Sequence, residues 1–343
     1  MEIALSSRVR EHAAYYPWFD WLRIVCASVV VLHHDSAIGW PHAGNFAVLV
    51  FFALSGWLIG GILLTTNDLP RFFFNRALRI WVPYYAAVAL LLFLSVLRDP
   101  LTSKWLEIVA YKLTFTYNLF GTRQLAEFVK AMPEKGTLSH VWSVNAEEQF
   151  YLLAPLLLLI PMGRSKVTWS LVALAALIWQ PLYCAIVLGV LAAILAHELG
   201  DWHLTPTGRS LAALSIVVGV AGMALGHYER YAPIAAIGIV LSLAVRGPQM
   251  PLGAIAGGIS YPLYLNHWIG IYALNALHIW SPIRHFAVLT LSILVSYGLY
   301  NLIDRPVLSM RPRLYTRRRG LILTACAYTI VGVGLILGIA LWR

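Results

Sequence analysis

Charged residues are scarce in this sequence, and their scarcity limits the class of protein before any motif is considered. They make up 12% of the 343 residues, whereas hydrophobic residues make up 60%. Ordinary soluble domains carry about 25% charged residues. Together with a mean hydropathy of +0.73, this composition excludes an ordinary soluble domain and predicts an integral membrane protein.

Cysteine is also rare. Cys26, Cys184 and Cys326 each lie alone in an apolar run, without C-x-x-C spacing. The pattern therefore indicates neither a disulfide framework nor a thiolate metal site, and we expect no metal. A signal peptide is not indicated either, because the first hydrophobic run contains Asp20 and Arg23 and no small-residue cleavage pattern follows it.

Long apolar runs, in contrast, are abundant. A bilayer is crossed by about 20 apolar residues, with tolerance for shorter or tilted helices. Candidate spans lie near 18–37, 45–65, 78–97, 148–162, 167–180, 181–197, 210–226, 232–246, 254–275, 285–303 and 320–341. They predict an all-α, polytopic membrane bundle of about 10–11 transmembrane helices. At Gln180-Pro181 the proline could mark either a tight turn or a kink.

The basic residues are unevenly distributed between the predicted loops. With a cytoplasmic N-terminus, sixteen of the 25 Lys and Arg residues lie inside, as the positive-inside rule requires. This predicts a multi-pass protein of the cell (inner or plasma) membrane, and topology explains the net charge of +10 without nucleic acid. We expect a cytoplasmic segment (1–17), a membrane domain (18–308), and a basic loop with one further helix (309–343).

The segment "LRIVCASVVVLHHD", residues 22–35, carries ionisable groups near both ends. On a helix, Arg23 and His34 differ by three turns plus about 20°, whereas His33 lies about 80° away on the other side. Arg23 and His34 therefore share a face, about 16 Å apart along the axis. Asp20 lies close to the same face and could pair with Arg23. We therefore expect His34, not His33, to be functional.

Two further blocks place polar groups at the start of, or inside, predicted spans. In "FFALSGWLIGG", Ser55 and Gly56 favour close helix packing. In "RFFFNRALRIWVPYY", Arg76 and Arg79 lie one turn apart and face the same way. Paired guanidinium groups suit phosphate binding. Positive-inside anchoring is the alternative, although it explains the paired spacing less well.

Two carboxylates stand at the start of the apolar run in "HVWSVNAEEQFYLLAP". Glu147 and Glu148 point about 100° apart on a helix, so at most one is expected to face a polar interior. A carboxylate that orients an imidazole is the usual companion of a histidine general base. Either glutamate could serve His34 in this way.

The last polar groups lie in the C-terminal half. "ISYPLYLNHWIG" places Tyr261, Asn266 and His267 in an otherwise apolar span, where they could support a substrate site. "NLIDRP" leaves Asp304 and Arg305 before a proline, which is more typical of a helix terminus than of a site.

In this order the segments resemble the membrane acyltransferase-3 family. "FDWLRIVCASVVVLHH" fits that family's motif of an arginine, ten residues and a histidine, and "FFALSGWLI", "NRALRIWVPYY", "WSVNAEEQFYLLAP", "ISYPLYLNHW" and "DRP" follow. The sequence departs from the family pattern at Asn145, and at Asn266, where an apolar residue is common. The second departure could tune an acceptor pocket.

The resemblance implies transfer of an acyl group, most often acetyl, from cytosolic acyl-coenzyme A to a hydroxyl of a carbohydrate or glycoconjugate. His34 and Arg23 match the motif histidine and arginine, and Arg76, Arg79 and Arg305 or Arg311 would hold the donor's phosphates. His34 would act as general base or as a transient acyl carrier. A polytopic transporter of a small polar solute is the main alternative, because charges inside a membrane also mark solute pathways, and a glycosyltransferase is a third.

Overall fold

The computed structural model describes residues 15–66, 68–98, 100–121, 138–278 and 283–341. Residues 1–14 of the predicted cytoplasmic segment and residues 122–137 of the long connection between 98 and 145 lie outside this part of the chain. The described residues form helices and contain no strand, which confirms the predicted all-α class. The helices of the first half are α1 (Pro17–His34), α2 (Ala43–Thr65), α3 (Leu69–Arg76), α4 (Val82–Arg98), α5 (Ser103–Leu113), α6 (Tyr117–Phe120) and α7 (Trp142–Leu158). Those of the second half are α8 (Lys166–Trp179), α9 (Pro181–Leu199), α10 (Pro206–Ala224), α11 (Tyr228–Leu243), α12 (Pro251–Asn266), α13 (Trp268–Ala276), α14 (Ile283–Leu299), α15 (Arg305–Leu314) and α16 (Arg317–Leu341).

Several of these helices are long and apolar enough to cross a membrane. Six helical runs meet this condition within the described chain: Ala43–Thr65, Leu69–Leu97, Pro181–Leu199, Pro206–Ala224, Ile283–Leu314 and Arg317–Leu341. The other predicted spans are helical too, but they are shorter or less apolar. The protein is therefore a multi-pass membrane protein.

Proline begins several helices. Pro17, Pro181, Pro206 and Pro251 each lie in the first turn, where a missing N–H has no helical partner to lose. The ambiguity at Gln180-Pro181 is thereby resolved, because α8 ends at Trp179 and α9 begins at Pro181. The proline marks a turn between two helices and not a kink within one.

Helix α2 lies at the centre of the bundle, and it packs most extensively against α9. A Cβ on Gly56 would lie 2.1 Å from the Ile186 carbonyl oxygen, and one on Gly189 would lie 2.2 Å from the Ala53 carbonyl oxygen. Only glycine permits backbones to approach this closely. The predicted packing role of the small residues in α2 is confirmed for Gly56.

Three interruptions of regular α-helix lie near the polar residues. A π-helical segment, Ala77–Trp81, joins α3 to α4, and another, Tyr300–Asp304, joins α14 to α15. The predicted span 254–275 is not continuous, because His267 separates α12 from α13. Pro262 inside α12 removes one backbone donor, and the side chains of Asn266 and His267 bond to backbone carbonyls of α12. Irregular backbone at membrane depth is typical of a site buried in protein.

Candidate active site

A cavity of about 490 Å³ lies between α1, α2, α7, α12 and the two π-helical segments. Its lining includes three arginines, Arg23, Arg76 and Arg79, and we call it the arginine cavity. The two π-helical segments supply Arg79 and Asp304 to this lining. Segments of this kind frequently occur at functional sites.

Arg23 is held on α1 by its neighbour one turn earlier. Its guanidinium donates to Asp20 at 2.9 Å, as the sequence predicts. Tyr15 donates a second hydrogen bond to the same carboxylate. Burial and the bond to Asp20 raise the pKa of Tyr15 to about 12, so this hydroxyl stays a donor at neutral pH. Gly257 of α12 lets the helices meet here, because a Cβ on it would lie 2.3 Å from Asp20 Oδ1.

Arg76 and Arg79 are less fully partnered. The Arg76 guanidinium lies 5.7 Å from the centre of the Tyr151 ring, and its Nε is buried without a hydrogen-bond partner among the described residues. Neither arginine forms a salt bridge with a described carboxylate. Arg79 is exposed and lines the cavity at its open side. The buried Arg76 Nε, a guanidinium donor without a partner, is suited to an anionic ligand.

The two glutamates of α7 have separate surroundings. Glu147 lines the arginine cavity and accepts from Ser55 at 2.7 Å and Tyr151 at 3.1 Å. Glu148 is buried and accepts from the Trp81 indole at 2.8 Å. No described hydrogen bond joins either carboxylate to His34.

Of the other residues predicted for this region, some line the arginine cavity and some do not. Tyr261 lines the arginine cavity and donates to the Ile80 carbonyl at 3.3 Å. Arg305 is exposed, does not line the cavity, and donates to Asn301 at 3.3 Å. Its neighbour Asp304 lines the cavity instead, with a buried Oδ2 that has no described partner. Arg311 is not among the lining residues.

A second cavity, of about 400 Å³, is lined by three histidines among other residues. We call it the histidine cavity. Its lining includes His33, His34, His140, Asn45, Asn118 and Trp142. None of its described lining residues is Asp, Glu, Lys or Arg.

His34 has a histidine as its hydrogen-bond partner. Its Nδ1 lies 2.7 Å from Nε2 of His267, and the two rings stack 4.9 Å apart at 17°. His140 packs 4.6 Å from the His267 ring and 6.1 Å from the His34 ring. In the described part of the chain no group of three His, Cys, Asp or Glu side chains could hold a metal ion.

A buried ion-pair cluster fixes the end of α1 immediately after His34. Asp35 accepts from Arg284 at 2.5 Å and 3.1 Å, and its other oxygen lies 2.6 Å from Nδ1 of His285. This cluster anchors α1 to the start of α14. Asp35 and His140 both lie in or beside blocks that the sequence marks as polar, so the patterns contained a signal for them. Their partners could not be read from that signal.

One wall separates the two cavities. Val48 and Tyr264 line both of them. The Tyr264 hydroxyl donates to the His140 carbonyl at 2.7 Å and lies 2.5 Å from the Ser143 hydroxyl. Helix α1 crosses this wall, with Arg23 in one cavity and His34 in the other.

Two residues that depart from the acyltransferase-3 pattern have structural partners. Asn145 is buried, accepts from the Tyr117 backbone N–H and donates to the Tyr84 hydroxyl, both at 3.0 Å. Asn266 donates to the Pro262 carbonyl at 3.1 Å and lines neither cavity.

The molecule is thus a multi-pass membrane protein with two polar cavities inside its helical bundle. The family model described as "Acyltransferase domain" matches residues 16–301, and the chain belongs to this family. The resemblance inferred from the motifs is confirmed. No solved structure matches the chain.

Several relatives are similar in sequence to part or most of this chain. YrhL of Bacillus subtilis strain 168, whose name describes a peptidoglycan O-acetyltransferase, is 28% identical over 222 residues, 62% of this chain and 33% of YrhL. Peptidoglycan O-acetyltransferase OatA of Listeria monocytogenes serovar 1/2a is 30% identical over 163 residues, 46% of this chain and 26% of OatA. BcsY of Komagataeibacter xylinus, whose name describes a membrane-bound transacylase, is 28% identical over an alignment of 349 residues. This alignment covers 90% of this chain and 88% of BcsY. The chain therefore spans about a third of YrhL and a quarter of OatA, but most of BcsY.

Proposed function

We propose that this protein is an integral membrane O-acyltransferase of the cell membrane. It would move an acyl group, with acetyl as the first candidate, from cytosolic acyl-coenzyme A to a hydroxyl of a carbohydrate or glycoconjugate. One observation carries the proposal. The arginine cavity and the histidine cavity share a wall, and one helix presents Arg23 to the first and His34 to the second.

The donor would bind in the arginine cavity. Coenzyme A is highly anionic, and Arg76 and Arg79 offer guanidinium donors that no described carboxylate neutralises through a salt bridge. Arg23 would lie between these two arginines and His34 on the donor's path. Arg23 and His34 are about 16 Å apart along α1. With the N-terminus in the cytoplasm, this cavity would receive the donor from the cytosol.

The acceptor would bind in the histidine cavity. Trp142 supplies an aromatic face, and Asn45 and Asn118 supply amide groups that can both donate and accept hydrogen bonds. This combination suits a sugar with its several hydroxyls. The names of YrhL and OatA point to a peptidoglycan acceptor, and we extend to this chain only the broader class of glycan hydroxyls.

His34 would provide the chemistry. As general base, its imidazole takes the acceptor hydroxyl proton while that oxygen attacks the thioester carbonyl. The carbon–sulfur bond breaks, and the imidazolium returns the proton to the coenzyme A thiolate. General base catalysis is typically worth about two to four orders of magnitude in rate. A transient acyl group on His34 would fit the same geometry.

A transporter is the second candidate, because the break between α12 and α13 resembles the discontinuous helices that form transporter sites. Reconstitution in liposomes distinguishes the two. We expect acetyl-coenzyme A, added with a soluble N-acetylglucosamine oligomer, to release free coenzyme A. The acetyl group should appear as an alkali-labile ester on the oligomer or, where water is the acceptor, as acetate. Uptake of the oligomer or of acetyl-coenzyme A without thioester cleavage would favour the transporter instead.

A further inference from the structure

His267 lies at the break between α12 and α13 and is 1% exposed. Both of its ring nitrogens are engaged. Nδ1 lies 2.8 Å from the Tyr264 carbonyl oxygen, and Nε2 lies 2.7 Å from Nδ1 of His34. The Tyr264 carbonyl is one of the last four of α12, which lack a regular helical partner.

These two contacts determine where the protons lie. A carbonyl oxygen can only accept, so Nδ1 of His267 must carry a proton and donate it. A neutral imidazole has one N–H and one lone pair, so Nε2 of His267 accepts. Nδ1 of His34 must then be the donor in the bond between the rings. The lone pair of His34 is consequently on Nε2.

The alternative is a doubly protonated His267. It would place a positive charge on a buried ring, and no carboxylate is among the hydrogen-bond partners that the described residues give to His267 or His34. An unpaired buried charge is strongly disfavoured. The neutral pair is therefore the arrangement that the contacts support.

We infer that His267 is a positioning residue that holds His34 in the tautomer with a free Nε2. The inference rests on the proposed role of His34. It gives the part that a carboxylate plays in a Ser-His-Asp triad to a neutral imidazole, whose own orientation is set by the Tyr264 carbonyl. When Nε2 takes the acceptor proton, the hydrogen bond to His267 shares the resulting charge between the two rings.

Matched substitutions at position 267 test the inference. His267→Gln keeps an oxygen that can accept from His34, whereas His267→Phe keeps the ring but has no lone pair to offer. We measure coenzyme A release from acetyl-coenzyme A with water as acceptor. H267F should lower kcat about tenfold to a hundredfold, the range found when a partner that orients a metal-bound histidine is lost, with KM for the donor unchanged. H267Q should recover most of that loss.

His203 provides the control for replacing a buried histidine. It is 2% exposed, its Nε2 lies 2.8 Å from the Ala244 carbonyl oxygen, and it lines neither cavity. His203→Phe should lower thermal stability without lowering kcat. Equal kcat for H267F and wild type, or equal losses for H267Q and H267F, would overturn the positioning role.

A spectroscopic readout removes the dependence on turnover. In protein labelled with ¹⁵N-histidine, the His34 signals are identified by their absence in His34→Ala. We expect a protonated Nδ1 and an unprotonated Nε2 in the wild type, and a mixture of tautomers in H267F. A protonated Nε2 in neutral wild-type His34 would refute the inference even if H267F failed to fold. If His34→Ala retained coenzyme A release, the proposed function would fail instead.

Discussion

The arginine cavity and the histidine cavity differ in the chemistry of their walls. The first contains guanidinium groups and carboxylates, among them Arg23, Arg76, Asp20 and Glu147. The described wall of the second contains imidazoles, amides, hydroxyls and aromatic rings, without an Asp, Glu, Lys or Arg. Under the proposed function, binding of the anionic donor would belong to the first cavity and proton transfer to the second. Changes in one cavity should therefore affect one step and spare the other.

We expect His34→Ala to reduce transfer more than any other single substitution. Removing the imidazole should lower the transfer rate by about two to four orders of magnitude. Acetyl-coenzyme A affinity should stay close to that of wild type, because the arginines lie in the other cavity. Turnover and equilibrium binding, measured on the same detergent-solubilised protein, check both halves. Loss of donor binding in this variant would break the division between the cavities.

The next effect is that of Arg79→Gln. Losing a charged hydrogen bond to the donor should cost about 1.5–3 kcal/mol, or roughly tenfold to a hundredfold in affinity. The rate at saturating donor should change little. Donor titration and saturation kinetics measure the two quantities separately. Arg209→Gln is the matched control, since this arginine is exposed and lines neither cavity. An equal loss of affinity in Arg209→Gln would mean that Arg79 does not bind the donor and serves only as a positive-inside anchor.

A packing change in α2, which lines both cavities, should lower the stability of the protein. Gly56→Ala introduces a Cβ 2.1 Å from the Ile186 carbonyl, and overpacking of this kind costs about 1–3 kcal/mol. Thermal unfolding in detergent measures the loss. Gly61→Ala on the same helix is the control, because a Cβ there meets no atom within 4 Å. Equal stability of the two variants would show that α2 and α9 can separate without cost.

The smallest effect is expected from His33→Ala. His33 shares the histidine cavity with His34, but its Nδ1 has no hydrogen-bond partner among the described residues. It lacks the link to His267 that orients its neighbour. We compare the transfer rates of His33→Ala and His34→Ala, and we expect His33→Ala to lose far less of the wild-type rate. Similar losses in the two variants would refute the assignment of the chemistry to one histidine.

The sequence predicted much of the helical content, because helical periodicity is a local property. It also predicted the pairing of Asp20 with Arg23, which spans one turn. The partner of His34 could not be predicted, since 233 positions separate it from His267 and periodicity carries no information about such contacts. The expectation of a glutamate partner came from chemical analogy with catalytic triads.

Helix interruptions account for other differences. The break at His267 turns its ring toward His34, and an apolar run does not reveal where a helix pauses. In the same way, the π-helical segment Tyr300–Asp304 brings Asp304 to the arginine cavity and leaves Arg305 exposed. Adjacent residues in "DRP" therefore have different surroundings, which composition alone does not distinguish.

Two variants compared in one experiment test whether donor binding and turnover depend on different cavities. Acetyl-coenzyme A is titrated against His34→Ala and Arg79→Gln, and coenzyme A release is followed in both at saturating donor. We expect His34→Ala to bind the donor like wild type and to turn over about two to four orders of magnitude more slowly, whereas Arg79→Gln binds weakly and turns over near the wild-type rate. Equal losses of binding and turnover in both variants would contradict it.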